Sequence, residues 1–328
     1  MKYSAAESTR DGFRTIRLLD SESRVTVEIV PDVGNNTVSL AVGDNEFLWR
    51  PDHALDELVQ HRFLFGIPFL SPWANRLDEP RYWVDGSQYH LNPELGNIRF
   101  DHSHQPIHGL LLFERWHIEQ VQATADSAEI ISSLNFASYP KLMAQFPFAH
   151  RLEMRHCLRN GRLSVHTRIV NSCVEAVPVS LGFHPYFRLP DGDRNNWDLK
   201  ICATTRYTLN DKHIPTGETS RTNPASHHVG DLDLDDVYSD LHRDEEGYAR
   251  FSLSSKTAGL RVGFGDRYRV AVVYAPQTGN FVCIEPMCAI TNALNLSHRG
   301  LCESPARVEP GCCWEEEFWV EPVLVSKA

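Results

Sequence analysis

Arg24-Val25-Thr26-Val27-Glu28-Ile29-Val30 and Leu163-Ser164-Val165-His166-Thr167-Arg168-Ile169-Val170 both alternate apolar and polar residues with period two. Successive side chains of a strand point to opposite faces, so each stretch predicts a strand with one buried face. Working outward, similar runs occur at 37–42, 129–136, 151–158, 249–253, 260–264, 270–274 and 281–284, and 314–323 closes the chain as another strand candidate. Asp85-Gly86, Asn160-Gly161, Asp191-Gly192 and Thr278-Gly279 supply turn chemistry between such runs. Helical periodicity is scarce, and His53 to His61 predicts one short helix. There is no βαβ pattern, no internal repeat and no linker rich in Pro, Gly or Ser. The reading is all-β: one large antiparallel β-sandwich domain spanning residues 1–328.

The formal net charge of −11 argues against nucleic acid or an anionic membrane as partner, because both need a basic face. Met1 to Arg14 carries Glu7, Arg10, Asp11 and Arg14 and has no apolar core, so no secretory signal is expected. Apolar stretches such as Val270 to Ala275 are too short to cross a bilayer. The eight cysteines form no C-x-x-C pair, and Cys312 and Cys313 are adjacent. They read as reduced, mostly buried thiols of a cytoplasmic monomer or homodimer.

Several familiar motifs fail. Asp191-Gly192-Asp193-Arg194-Asn195-Asn196 begins like a calcium loop, but Asn196 stands where glycine is required and Cys202 where the bidentate glutamate belongs. There is no phosphate-binding P-loop, no G-x-S-x-G and no H-E-x-x-H. Gly263-Phe264-Gly265 lacks the third glycine and the helix of a dinucleotide site. His102, His104 and His108 could hold zinc, but a polar loop with ordinary histidines is the favoured reading. Neither metal nor cofactor is expected.

Four segments set ionisable residues among aromatics and prolines. They are Gly66 to Leu77; Pro106-Ile107-His108-Gly109-Leu110 with Arg115-Trp116; Ser180 to Phe187; and Cys283-Ile284-Glu285-Pro286 followed by Asn292 to Asn295. His184 and Glu285 each end an apolar run and precede proline, which favours extended geometry and interrupts a ladder. Each is therefore predicted at a strand rim, where partial desolvation shifts its pKa. Taken singly, each reads as a paired strand-end residue, and Trp73, Trp116 and Tyr186 as core.

Taken in order, the segments resemble the aldose 1-epimerase (galactose mutarotase) family. The resemblance rests on Asn75-Arg76-Leu77, Asp85-Gly86 with Tyr89-His90-Leu91, His108-Gly109 with Arg115-Trp116, Gly182-Phe183-His184-Pro185-Tyr186-Phe187, and Ile284-Glu285-Pro286 with Ala293-Leu294-Asn295. It spans roughly Val25 to Val323. It implies a large antiparallel β-sandwich and a mutarotase that opens and recloses an aldose hemiacetal. By that resemblance Glu285 is the base, His184 the acid and His108 a second imidazole. Asn75 and Arg76 bind sugar hydroxyls, and Asp236 is the acidic partner, with Asp233 and Asp235 as alternatives.

Met287 and Asn292 depart from the family pattern, as does the apolar run Leu110 to Phe113, so galactose itself is not assured as the substrate. The alternatives are a hexose 6-phosphate mutarotase, with Arg62, Arg81, Arg99 or Arg115 on the phosphate, and a non-catalytic sugar-binding protein. The acidic balance favours neutral sugars. His184 and Glu285 are expected on opposite walls of one open cleft that Arg76 and His108 also line.

Overall fold

The computed structural model describes residues 1–325, and antiparallel strands dominate them. In Arg162–Asn171 buried positions alternate strictly with half-buried ones. This strand pairs with His150–Arg159 on one side and Cys313–Leu324 on the other, inside a nine-stranded sheet. An eight-stranded sheet packs against it. Phe183 of the eight-stranded sheet and Phe318 of the nine-stranded sheet have ring centroids 4.6 Å apart. The core therefore lies between two sheets, as in a β-sandwich. The N-terminal strands from Tyr3 to Glu46 form a five-stranded meander. Its Val25, Val27 and Ile29 join the same apolar cluster as Leu163 and Val165. Each such buried aliphatic side chain contributes about 1.5–3 kcal/mol.

The strand Val282–Met287 has no alternation at all, because every one of its positions is buried. It pairs with Val270–Ala275 on one side and with the short strands Gly182–Phe183 and Tyr186–Phe187 on the other. His184-Pro185 interrupts the latter ladder between its two short strands. Glu285-Pro286 does not end its strand: the ladder continues through Pro286, opposite Ala271, to Met287. The rim position expected for Glu285 is thus corrected to mid-strand.

The helix expected at 53–61 runs over Leu55–Gln60. The strands Tyr3–Arg10 and Pro215–Arg221 had no apolar signature, since most of their residues face water. The helices Pro140–Gln145 and Ala293–His298 are six residues each, too short to display a 3.6-residue period. Among the described residues no helix is long and apolar enough to cross a membrane. The expectation of mostly buried cysteines needs correction: Cys202, Cys283 and Cys288 are buried, but Cys312 and Cys313 are exposed.

Candidate active site

Gly182 pairs with Met287 and Tyr186 with Cys283, and the register between those pairs sets His184 directly across from Glu285. Their Nε2 and Oε1 atoms are 3.4 Å apart, and both side chains are more than nine-tenths buried. The two groups therefore share one wall of a cleft and do not face each other across it, contrary to expectation. The His184 backbone N–H donates to the Pro68 carbonyl at 3.0 Å. Its ring stacks on Tyr186 at 4.6 Å and meets His108 edge-on at 5.1 Å.

The cleft measures about 440 Å³, within the usual range for small-molecule sites. Asn75, Arg76, His108, His184 and Glu285 all line it. Asn75 and His108 both adopt left-handed backbone, with φ of 54° and 65°. The His108 N–H donates to the Asn75 carbonyl at 2.9 Å, which locks the two turns together. Gly109 follows in the same region, at φ 68°, and any Cβ there would run into the Ser71 backbone. This explains why a glycine follows His108. Arg76 donates through Nε to Asp101 Oδ2 at 2.8 Å and through Nη1 to Asn75 Oδ1 at 3.2 Å.

Asp236 is not in this cleft. Strand alternation turns it to the other face, where it accepts from Arg206 Nη2 at 2.8 Å and from the Tyr238 hydroxyl at 3.2 Å. The two alternatives, Asp233 and Asp235, both line the cleft, and Asp235 lies 3.4 Å from Arg76 Nη1 and 3.3 Å from His213 Nδ1. Of the zinc candidates, His102 and His108 line the cleft, while His104 is exposed and outside it. Donor atoms of His184, Cys283 and Glu285 instead lie within 4.8 Å of one another. Sequence reading missed His213 and Tyr274 in the cleft wall, and no local motif marks either.

Other motif residues brace the site without touching it. Asn295 Nδ2 donates to Asp78 Oδ1 at 2.8 Å and to the Arg81 carbonyl at 3.0 Å, tying down the segment after Arg76. Trp116 is core, and Arg115 is an exposed partner of Asp32. A larger groove of about 890 Å³, which includes Arg267, Arg269 and Cys302, shares no lining residue with this cleft.

Burial governs the electrostatics. Desolvation, with a further push from Asp235, holds Glu285 well above the ordinary carboxylate range against an opposing pull from Arg76. Desolvation brings His184 down to about 3, and the charges of Arg76 and Arg99 act in the same direction. His108 is also held well below its ordinary range, by burial first and then by His184, Arg99 and Arg76. Glu285 Oε2 and the Nδ1 atoms of His184 and His108 have no hydrogen-bond partner within the protein.

The fold recurs in solved structures. A galactose mutarotase-like protein from Clostridium acetobutylicum superposes with a TM-score of 0.85 at 18% identity, covering 99% of both chains. The Slr1438 protein from Synechocystis sp. PCC 6803 gives 0.77 at 23% identity, covering 97% of this chain and 98% of that one. A GalM/aldose epimerase homologue from C. elegans gives 0.73 at 16% identity, covering 99% of this chain and 100% of that one. The uncharacterized protein YihR of Escherichia coli is 26% identical over 166 residues, which make up 50% of this chain and 47% of that protein. A model of the aldose 1-epimerase family matches residues 16–316, nearly the whole chain. By that match, the chain belongs to the aldose 1-epimerase family.

Proposed function

We propose that the protein is a mutarotase that interconverts the α and β anomers of an aldose by acid–base ring opening and reclosure. The observation that carries this reading is the His184–Glu285 pair, 3.4 Å apart in the cleft wall. Opening a hemiacetal moves one proton off the anomeric hydroxyl and puts one on the ring oxygen. Both oxygens are bonded to the same carbon, so an acceptor and a donor standing side by side suit them better than groups on opposite walls. Glu285 takes the hydroxyl proton and His184 delivers one to the ring oxygen. The pair then holds its remaining proton on the carboxyl, beside a neutral imidazole. Burial disfavours the starting tautomer, with the shared proton on His184 beside a Glu285 carboxylate, so the transfer runs from a minor tautomer to one in which both members are uncharged. Rotation about the bond beside the carbonyl, followed by the reverse transfers, gives the other anomer.

Asn75, Arg76 and Asp235 offer polar atoms to sugar hydroxyls, and His108 supports the ring-oxygen side. The deciding experiment is polarimetry of freshly dissolved α-anomers of several aldoses. Decay of the optical rotation should be faster with protein than without. Decay at the spontaneous rate for every aldose tried would refute the reading.

A further inference from the structure

Two arginines, Arg76 and Arg99, line the cleft, and they differ in their partners. Arg76 lies between Asp101 and Asp235, and His213 stands beside Asp235. Arg99 lines the same cleft and forms no ion pair among the described residues. Its Nη1 donates to the Arg62 carbonyl at 2.6 Å, and the rest of its fork has no protein acceptor among the described residues. Burial pushes its pKa down, and the neighbouring Arg62 adds to this. A partly desolvated guanidinium with free N–H groups in a cleft is suited to receive an anionic ligand.

The position of Arg99 is specific. The Ile107 N–H donates to the Arg99 carbonyl at 2.9 Å, which places Arg99 beside His108. Arg99 therefore belongs to the imidazole side of the cleft. In the mutarotase reading, on which this step rests, the imidazoles face the ring oxygen. The ring oxygen is bonded to C1 and C5, and C5 carries the exocyclic C6. Substituents at C6 thus fall on the side where Arg99 stands.

We infer that the substrate is an aldose bearing an anionic group at C6, a carboxylate or a phosphate, which Arg99 binds through its free N–H groups. The planar fork matches either anion in bidentate fashion. The net charge of −11 does not oppose this, because it describes the whole molecule and not this wall of the cleft.

The test compares anomerisation of glucose, glucuronate and glucose 6-phosphate by the wild type, Arg99→Gln and Arg81→Gln. Arg81 is paired with Glu79 and does not line the cleft, so its variant is the control. The wild type should favour at least one anionic sugar in kcat/KM, and the identity of that sugar separates carboxylate from phosphate. Arg99→Gln should lower the anionic-to-neutral ratio by about tenfold or more, and Arg81→Gln should leave it alone. Equal or better turnover of glucose by the wild type, or an unchanged ratio in Arg99→Gln, overturns the inference while the mutarotase reading stands. If no sugar is anomerised, the mutarotase reading falls, and calorimetric binding of the same sugars decides the subsite. Arg99-dependent binding of an anionic sugar then supports it, and absence of such binding refutes it.

Discussion

His184 and Glu285 occupy opposed positions on neighbouring strands, with Nε2 and Oε1 3.4 Å apart. The flanking pairs, Gly182 with Met287 and Tyr186 with Cys283, bring the two backbones level, and burial in a packed wall holds the two rotamers rigidly. That rigidity suits proton transfer, where small displacements are expensive.

Glu285→Gln keeps the shape of the side chain and removes its basicity. It should lower the mutarotation rate by about 10²–10⁴-fold, the usual contribution of a general base. The thermal midpoint should stay near wild type, since Glu285 Oε2 has no protein partner to lose. A folded variant with wild-type turnover would remove Glu285 from the mechanism.

The pH profile follows from treating the pair as one unit with one shared proton. A second proton enters only near the depressed His184 value of about 3. The single proton leaves only above the ordinary carboxylate range, because burial raises Glu285. Activity should therefore be flat through mildly acidic pH and fall on the alkaline side as the pair empties. A rate that instead rises with pH through the carboxylate range would show that a fully deprotonated pair is the active form.

Much of this was legible in the chain because alternation encodes a half-buried strand directly, as at Arg162–Asn171. Val282–Met287 was harder, since a strand buried on both faces shows no period. Choosing between Asp235 and Asp236 depends on a one-residue register, which neighbouring strands set and the local run of acidic residues does not. Arg99 is distinguished from Arg62 and Arg81 by its place in the cleft lining, which its backbone hydrogen bond with Ile107 sets and no local pattern marks. Asn75-Arg76 and His108-Gly109 were readable through the order of the family's motifs, and the left-handed turns and close backbone contacts there account for the residues that fit.

A metal chelator should leave turnover unchanged, because the proposed steps use side-chain protons alone. The check is the polarimetric rate before and after treatment with EDTA. If activity disappeared and zinc restored it, the ligand set to test would be His184, Cys283 and Glu285, not the loop histidines.

Acid should destabilise the fold earlier than carboxylate titration alone would. Burial brings His150 down to about 4 and His156 to about 3. The unfolded chain binds these protons near pH 6.5, so stability is complete above that value and declines as pH falls toward the folded values. Each such histidine removes up to about 1.4 kcal/mol per pH unit in that window. Thermal midpoints should drop between neutral and mildly acidic pH, and less steeply in His156→Gln. A flat midpoint until the carboxylates titrate would contradict this.

Asp235 and Asp236 are adjacent in sequence and belong to different environments, so their amide variants should separate. Asp235 contacts Arg76 and His213 in the cleft, and its charge helps to hold Glu285 high. Asp235→Asn should therefore raise KM and shift the alkaline limb of the pH profile downward, since removing a negative neighbour eases ionisation of Glu285. Asp236 accepts from Arg206 and Tyr238 on the opposite face. Asp236→Asn should lower the thermal midpoint and leave the pH profile where it was. Steady-state polarimetry across pH and a melting curve on both variants decide the matter. A shifted profile in Asp236→Asn, with none in Asp235→Asn, would return the acidic partner to Asp236.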